Sequence, residues 1–160
     1  MRIRGSRVIV VGAGGSARAV LAALTDAGAV SIRIANRTRR RAVRLARIFA
    51  TAGTSIEAIG LDELARPDRV RGVRLVVNTT SLGLHGEAFP AVAARETAAD
   101  CLFFDLVYGR KTSFATTAVR TKRNACDGRE MLLHQGAEAF RLWTGRPAPL
   151  AAMRQVLESP

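Results

Sequence analysis

At 160 residues, 48% apolar and 24% charged, the chain has the length and balance of one globular domain that buries its own core. Arg or Asp interrupts every apolar run before it could span a bilayer, and the leading MRIRGSR lacks the apolar centre of a signal peptide, so a cytoplasmic address is expected and no membrane partner. The net charge of +12 raises polyanion binding, yet the arginines are scattered from Arg2 to Arg154 and few aromatics are present for base stacking, which argues against nucleic acid.

Val8 to Val11 is an unbroken apolar run, the pattern of a strand buried on both faces of a parallel sheet. Behind it stand Gly12, Ala13, Gly14, Gly15, Ser16 and Ala17, which match the G-x-G-x-x-A dinucleotide fingerprint. Gly12 lets the chain turn sharply out of the strand. Gly14 leaves room for a pyrophosphate, and the small Ala17 lets the next helix lie close to the sheet. That helix is expected from about Gly15, with Ala19, Val20, Ala23 and Leu24 on its apolar side. Its free N–H groups and positive dipole end would face the phosphates.

A second β-rich run, Ser31 to Ala35, leads into Asn36, Arg37 and Thr38. An NAD-binding chain usually carries Asp or Glu here, to accept hydrogen bonds from the adenine ribose; that acid would repel a 2′-phosphate. This chain instead continues with Arg39, Arg40 and Arg41, and guanidinium groups fork onto phosphate oxygens. NADP(H) is therefore the expected cofactor, with Arg37 and Arg41 on the phosphate. Arg39 to Ala50 reads as a helix that buries Ala42, Leu45, Ala46 and Phe49 and leaves Arg40, Arg44 and Arg47 in solvent.

Ser55 to Ile59 reads as a short strand, and Asp62 and Glu63 open a short helix limited by Pro67. Leu75 to Val77 is the next buried strand, running into Asn78-Thr79-Thr80-Ser81-Leu82-Gly83-Leu84. That loop either lines the nicotinamide end of the cofactor or is a turn in which Asn78 and Thr79 satisfy their own backbone. Phe103 to Val107 is a further strand interrupted by Asp105, with Tyr108 at its carboxyl end. Thr112 to Thr121 is expected to be helical, Asn124 to Asp127 a turn or short strand, and Glu130 to Trp143 a long helix stopped by Gly145. A last short helix is expected over Pro147 to Leu157. Cys101 and Cys126 have no metal-ligand spacing and read as free thiols. The pattern as a whole predicts an α/β fold: a Rossmann-type doubly wound, mostly parallel sheet with helices on both faces.

Taken together, GAGGSARAV, NRT at Asn36 to Thr38, NTTSLGL, DLVY at Asp105 to Tyr108 and DGREMLLHQGAEAFRLWTG make the chain resemble the NADP-binding half of the shikimate dehydrogenase family. The resemblance covers nearly every residue. It implies a cofactor cradle at the glycine bend and a 2′-phosphate clamp at NRT. Thr80, Ser81 and Gly83 then fall beside the nicotinamide, together with Asn78, Thr79 and Val107, while Tyr108 and Gln135 face a shikimate-like substrate. Two departures stand out: Tyr108-Gly109-Arg110 replaces the frequent Tyr-x-Pro, and Leu84 stands where Met is common.

In that family a substrate domain precedes the fingerprint and carries the Lys/Asp pair that moves the proton. No catalytic residue is therefore expected within these 160 residues: His85 and His134 read as structural or exposed, and Lys111 and Lys122 as solvated. Residues 1–145 are expected to form the NADP-binding domain, and residues 146–160 a helix whose Leu150, Met153, Val156 and Leu157 would pack on the substrate domain. Without that domain the strip predicts self-association or a separate substrate-domain subunit. A non-catalytic NADP(H)-binding module is the alternative.

Overall fold

Short apolar runs alternating with amphipathic segments favour parallel strands joined by crossover helices. The computed structural model, which describes residues 1–50 and 53–158, has that arrangement. Strand β1 (Arg7–Val11) is followed by α1 (Gly15–Asp26), β2 (Ser31–Ala35), α2 (Arg39–Ile48) and β3 (Ser55–Ile59). After a 3-10 turn at Asp62–Ala65 and a single helical turn, α3 (Pro67–Val70), the second half begins with β4 (Leu75–Asn78). There follow β5 (Leu102–Asp105), α4 (Ser113–Arg120), β6 (Asn124–Cys126), α5 (Arg129–Thr144) and α6 (Leu150–Glu158).

Among the described residues the six strands are all parallel, in the order β3-β2-β1-β4-β5-β6. Alternate residues of β1 feed two separate cores. Val8 and Val10 face α1 and α2 among Ala17, Leu21, Leu24, Ala42 and Leu45. Ile9 and Val11 face the opposite layer, with Leu64, Val70, Phe103 and Phe114. There the Phe103 and Phe114 rings lie 5.1 Å apart and tilted, a favourable aromatic geometry. This is the doubly wound Rossmann arrangement, with layers on both faces of the sheet. Among the described residues no helix is long and apolar enough to cross a membrane.

Several boundaries and faces differ from the sequence expectation. On α1 the buried positions are Ala17, Leu21 and Leu24, while Ala19 and Ala23 are exposed. Alanine scores as apolar but carries too little surface to dictate which face turns inward, so the leucines decide. Helix α2 ends at Ile48 rather than Ala50. The short 3-10 helix ends before Pro67 as expected, with Arg66 extended ahead of it, and Pro67 also opens α3 as its first residue, where its missing N–H costs nothing. β5 stops at Asp105, short of Val107, because the Asp105 carboxylate captures the Val107 N–H.

At the end of the chain, α6 lies along α5. Arg154 pairs with Glu130, and Met153 reaches Gly136, where an added Cβ would come within 3.1 Å of its methyl. Met153 and Leu157 are thus half-covered, whereas Leu150 and Val156 remain exposed, as do Leu142 and Trp143 of α5. The expected apolar strip is only partly bare. Residues 159 and 160 of the 146–160 segment lie outside the described residues.

Candidate functional site

Parallel strands present all their carboxyl ends at one edge of the sheet, and a crevice opens where successive connections leave in opposite directions. Here that point lies between β1 and β4, whose last residues Val11 and Asn78 are register partners. The crevice has two lobes, of about 460 and 560 Å³, which share Thr79, Thr80 and Ser81.

Gly12, Ala13, Gly14, Asn36, Arg37 and Arg41 line the first lobe, with Leu61, Leu82, Ala88 and Pro90. Gly12 sits at φ 115°, and its N–H donates to the Ala35 carbonyl at 2.8 Å. A Cβ there would overlap Thr79 Oγ1, whose hydroxyl donates to the Val11 carbonyl at 2.7 Å. Gly14 precedes α1 as its N-cap and offers no side chain to the helix end, and no acidic residue stands in the first turn. A Cβ on Gly14 or Gly15 would meet nothing within 4 Å. The helix end therefore presents unopposed N–H groups and its positive dipole to open space, the requirement for seating a diphosphate.

The residues expected at the 2′-phosphate follow from β2. The Asn36 N–H donates to the Ile59 carbonyl at 3.2 Å, and its side-chain amide donates to the Thr38 carbonyl at 2.9 Å. This bend leaves Arg37 exposed on the lobe wall and brings Arg41, in the first turn of α2, alongside it. Among the described residues no carboxylate lines this lobe, so a dianionic phosphate would meet two guanidinium groups there. Thr38 caps α2 without a side-chain bond and does not reach the wall.

Ser16, Leu84, Leu106, Val107, Tyr108, Gly109, Arg110 and Met131 complete the second lobe. Tyr108 is 48% exposed at its mouth. Gln135 is exposed one turn beyond Met131 on α5 and lies on the wall of neither lobe.

Asn78 is completely buried behind the loop rather than facing the crevice. Its Nδ2 donates to Asp105 Oδ1 at 2.9 Å and to the Leu82 carbonyl at 3.3 Å. Its Oδ1 accepts from the Thr80 N–H at 3.0 Å and the Thr80 hydroxyl at 2.6 Å. Of the two roles open to this residue, the structure places the side chain in the loop-holding one, while Thr79, Thr80 and Ser81 form the shared wall.

Gly83, at φ 96°, also lies behind the wall, where a Cβ would come within 2.9 Å of the Thr112 methyl. The Glu87 carboxylate accepts from the Gly83 N–H at 3.1 Å and the His85 N–H at 2.9 Å. Bonds from the His85 N–H and from Glu87's own N–H hold that carboxyl below its ordinary range.

Sequence reasoning overlooked Leu61, Ala88 and Pro90 on one wall, and Leu106 and Met131 on the other. Leu61 was findable, because it follows β3, the strand beside β2. Ala88 and Pro90 belong to a stretch without helix or strand and carry no motif. Asp105, which interrupts an apolar run and opens the DLVY motif, carried no assigned role, and the break in the run was the signal for one. Among the described residues no group of three or more His, Cys, Asp or Glu is placed to hold a metal ion. Cys101 is buried and Cys126 exposed, both free.

Residues 1–120 match the family described as shikimate / quinate 5-dehydrogenase, and residues 128–158 match the shikimate 5′-dehydrogenase C-terminal domain. The shikimate dehydrogenase (NADP(+)) of Moorella thermoacetica is 42% identical over 96% of this chain and 53% of its own length. Its counterpart in Halorubrum lacusprofundi is 40% identical over 99% of this chain and 56% of its own length. The chain spans about half the length of the curated relatives it matches.

Among solved structures, shikimate 5-dehydrogenase of Thermus thermophilus, in complex with NADP(H) and shikimate, superposes with a TM-score of 0.75. It is 33% identical, over 97% of this chain and 55% of that one. The ligand-free 5-ketofructose reductase of a Gluconobacter strain gives 0.79 at 30% identity, over 99% and 57%.

Proposed function

Because this chain belongs to the shikimate dehydrogenase family, we propose that it is the NADP(H)-binding half of an oxidoreductase that interconverts shikimate and 3-dehydroshikimate. The observation that carries the reading is the first lobe, where the Gly12–Gly14 bend, Arg37 and Arg41 share one space with no carboxylate among the described residues. The bend and the N-terminus of α1 would seat the diphosphate, and Arg37 and Arg41 the 2′-phosphate. Thr79 to Ser81 and Val107 would flank the nicotinamide, and Tyr108 would face the substrate at the mouth of the second lobe. The relatives named for NADP and the solved relative holding both ligands support this assignment.

When bound, NADP(H) supplies or accepts a hydride. The chain's own contribution is to orient that reagent over the carbon to be oxidised or reduced. Alcohol oxidation also needs an acceptor for the hydroxyl proton, within about 3.2 Å of it. Neither lobe is lined by His, Asp, Glu or Lys. Tyr108, which lines the second lobe, is assigned to substrate binding. Because the chain spans about half the length of its relatives, the proton acceptor is assigned to a substrate-binding part beyond these residues, against which α6 and the exposed Leu150 and Val156 would pack.

Calorimetric titration of the chain tests the reading. NADPH is expected to bind at least tenfold more tightly than NADH, and equal affinities would overturn it. Mixed with shikimate and NADP⁺, the chain alone is expected to show no rise in NADPH absorbance.

A further inference from the structure

The most deeply buried polar cluster lies beneath the crevice rather than in it. Asp105 is 1% exposed, Asn78 0% and Thr112 4%. A carboxylate taken out of water is costly unless it is fully hydrogen-bonded, and no ion pair to Asp105 is formed among the described residues. Three donors satisfy it instead. Asn78 Nδ2 and the Val107 N–H reach Oδ1 at 2.9 and 3.1 Å, and the Thr112 hydroxyl reaches Oδ2 at 2.6 Å.

Each donor leads to a different part of the second lobe. Asn78 carries the loop of residues 79–82 through its bonds to Thr80 and Leu82. Val107 stands near the start of the opposing loop and Thr112 at its end, where Thr112 Oγ1 also caps α4 by accepting from the Ala115 N–H at 3.1 Å. The two walls thus hang from one carboxylate, and the 2.9 Å approach of a Gly83 Cβ to Thr112 shows how closely the loops abut. By contrast, Arg37 and Arg41 are held by β2 and α2, with no bond to this cluster.

We propose that Asp105 is a positioning residue for the nicotinamide half of the coenzyme, setting the gap between the 79–82 and 106–112 loops; this rests on the NADP(H) reading above. The test compares NADP⁺ with adenosine 2′,5′-bisphosphate, which carries the 2′-phosphate but no nicotinamide, by calorimetry on the whole chain. Thr112→Val is isosteric and lies outside the crevice, and it removes the hydroxyl that donates to Asp105. It is expected to weaken NADP⁺ about tenfold, the scale of one charge-assisted hydrogen bond, and the bisphosphate less than twofold. Thr112→Ser should restore wild-type behaviour.

A purely structural role would lower thermal stability and leave the affinity ratio of the two ligands unchanged, and that result would overturn the proposal. So would parallel weakening of both ligands. If Thr112→Val does not fold, Asp105→Asn is read by the same ratio; it retains an oxygen for Asn78 and Val107 but turns a donor towards Thr112. A wild-type chain that binds neither ligand overturns the NADP(H) reading itself, and this inference with it.

Discussion

Replacing Gly12 by Ala tests the bend on which the crevice depends. The backbone there is at φ 115°, a region that costs a residue with a side chain about 1–3 kcal/mol. The added methyl would overlap Thr79 Oγ1 and lie 3.0 Å from Thr80 Cγ2. Rotating Thr79 relieves the overlap but gives up its 2.7 Å bond to the Val11 carbonyl, a loss of about 1 kcal/mol. The sum is a destabilisation of about 2–4 kcal/mol, or roughly 4–16 °C in thermal midpoint for a chain of this size. Because Thr79 and Thr80 form the wall shared by both lobes, coenzyme binding should weaken as well. Thermal unfolding followed by circular dichroism and titration with NADPH read the two effects. A midpoint within about 2 °C of wild type together with unchanged affinity would refute the close-approach argument.

Arg37→Ala should weaken NADPH about 10–100-fold, one charged hydrogen bond to phosphate, and leave NADH unchanged; equal losses for both would remove the 2′-phosphate clamp. The Glu87 carboxyl titrates below its ordinary value of 4.5 in the folded chain, so its hold on Gly83 and His85 is complete above that value. As pH falls through the lower, folded value the carboxylate is protonated and the hold is lost; a carboxyl NMR titration with a midpoint at or above 4.5 would contradict it. Burial pushes the Cys101 thiol up to about 11, and burial with the nearby Asp127 and Asp105 raises the Cys126 thiol too. Since Cys126 is exposed and Cys101 buried, a thiol reagent should label Cys126 in the native chain and Cys101 only on unfolding. Rapid labelling of both in the native state would show that the buried amino end of β5 around Cys101 is open.

The glycine bend and the arginine-lined wall beside it were legible because the residues that make them are close neighbours in the chain. Gly12 to Ala17 and Asn36 to Arg41 carry their chemistry in short stretches, and the apolar runs before them announce the strands. The loop at Asn78 was legible as a site but ambiguous in role. Both alternatives proved compatible with the same residues, since Asn78 holds the turn while Thr79 to Ser81 form the wall. On α1 the alanines misled the choice of face, because their small area leaves the outcome to Leu21 and Leu24. Gln135 was assigned to the substrate through the resemblance alone; it stands exposed one turn beyond Met131, and of the two only Met131 lines the crevice.

Local sequence by itself determined the elements, the glycine bend and the run of arginines after β2, because backbone preferences and charge act over a few residues. Strand order was left to tertiary structure. Asn78 and Asp105 are 27 residues apart and become partners only because β4 and β5 pair in parallel at that register. Likewise the crevice exists only because β4 joins the sheet beside β1, an adjacency set by which apolar faces bury one another. That choice depends on the packing of the whole chain.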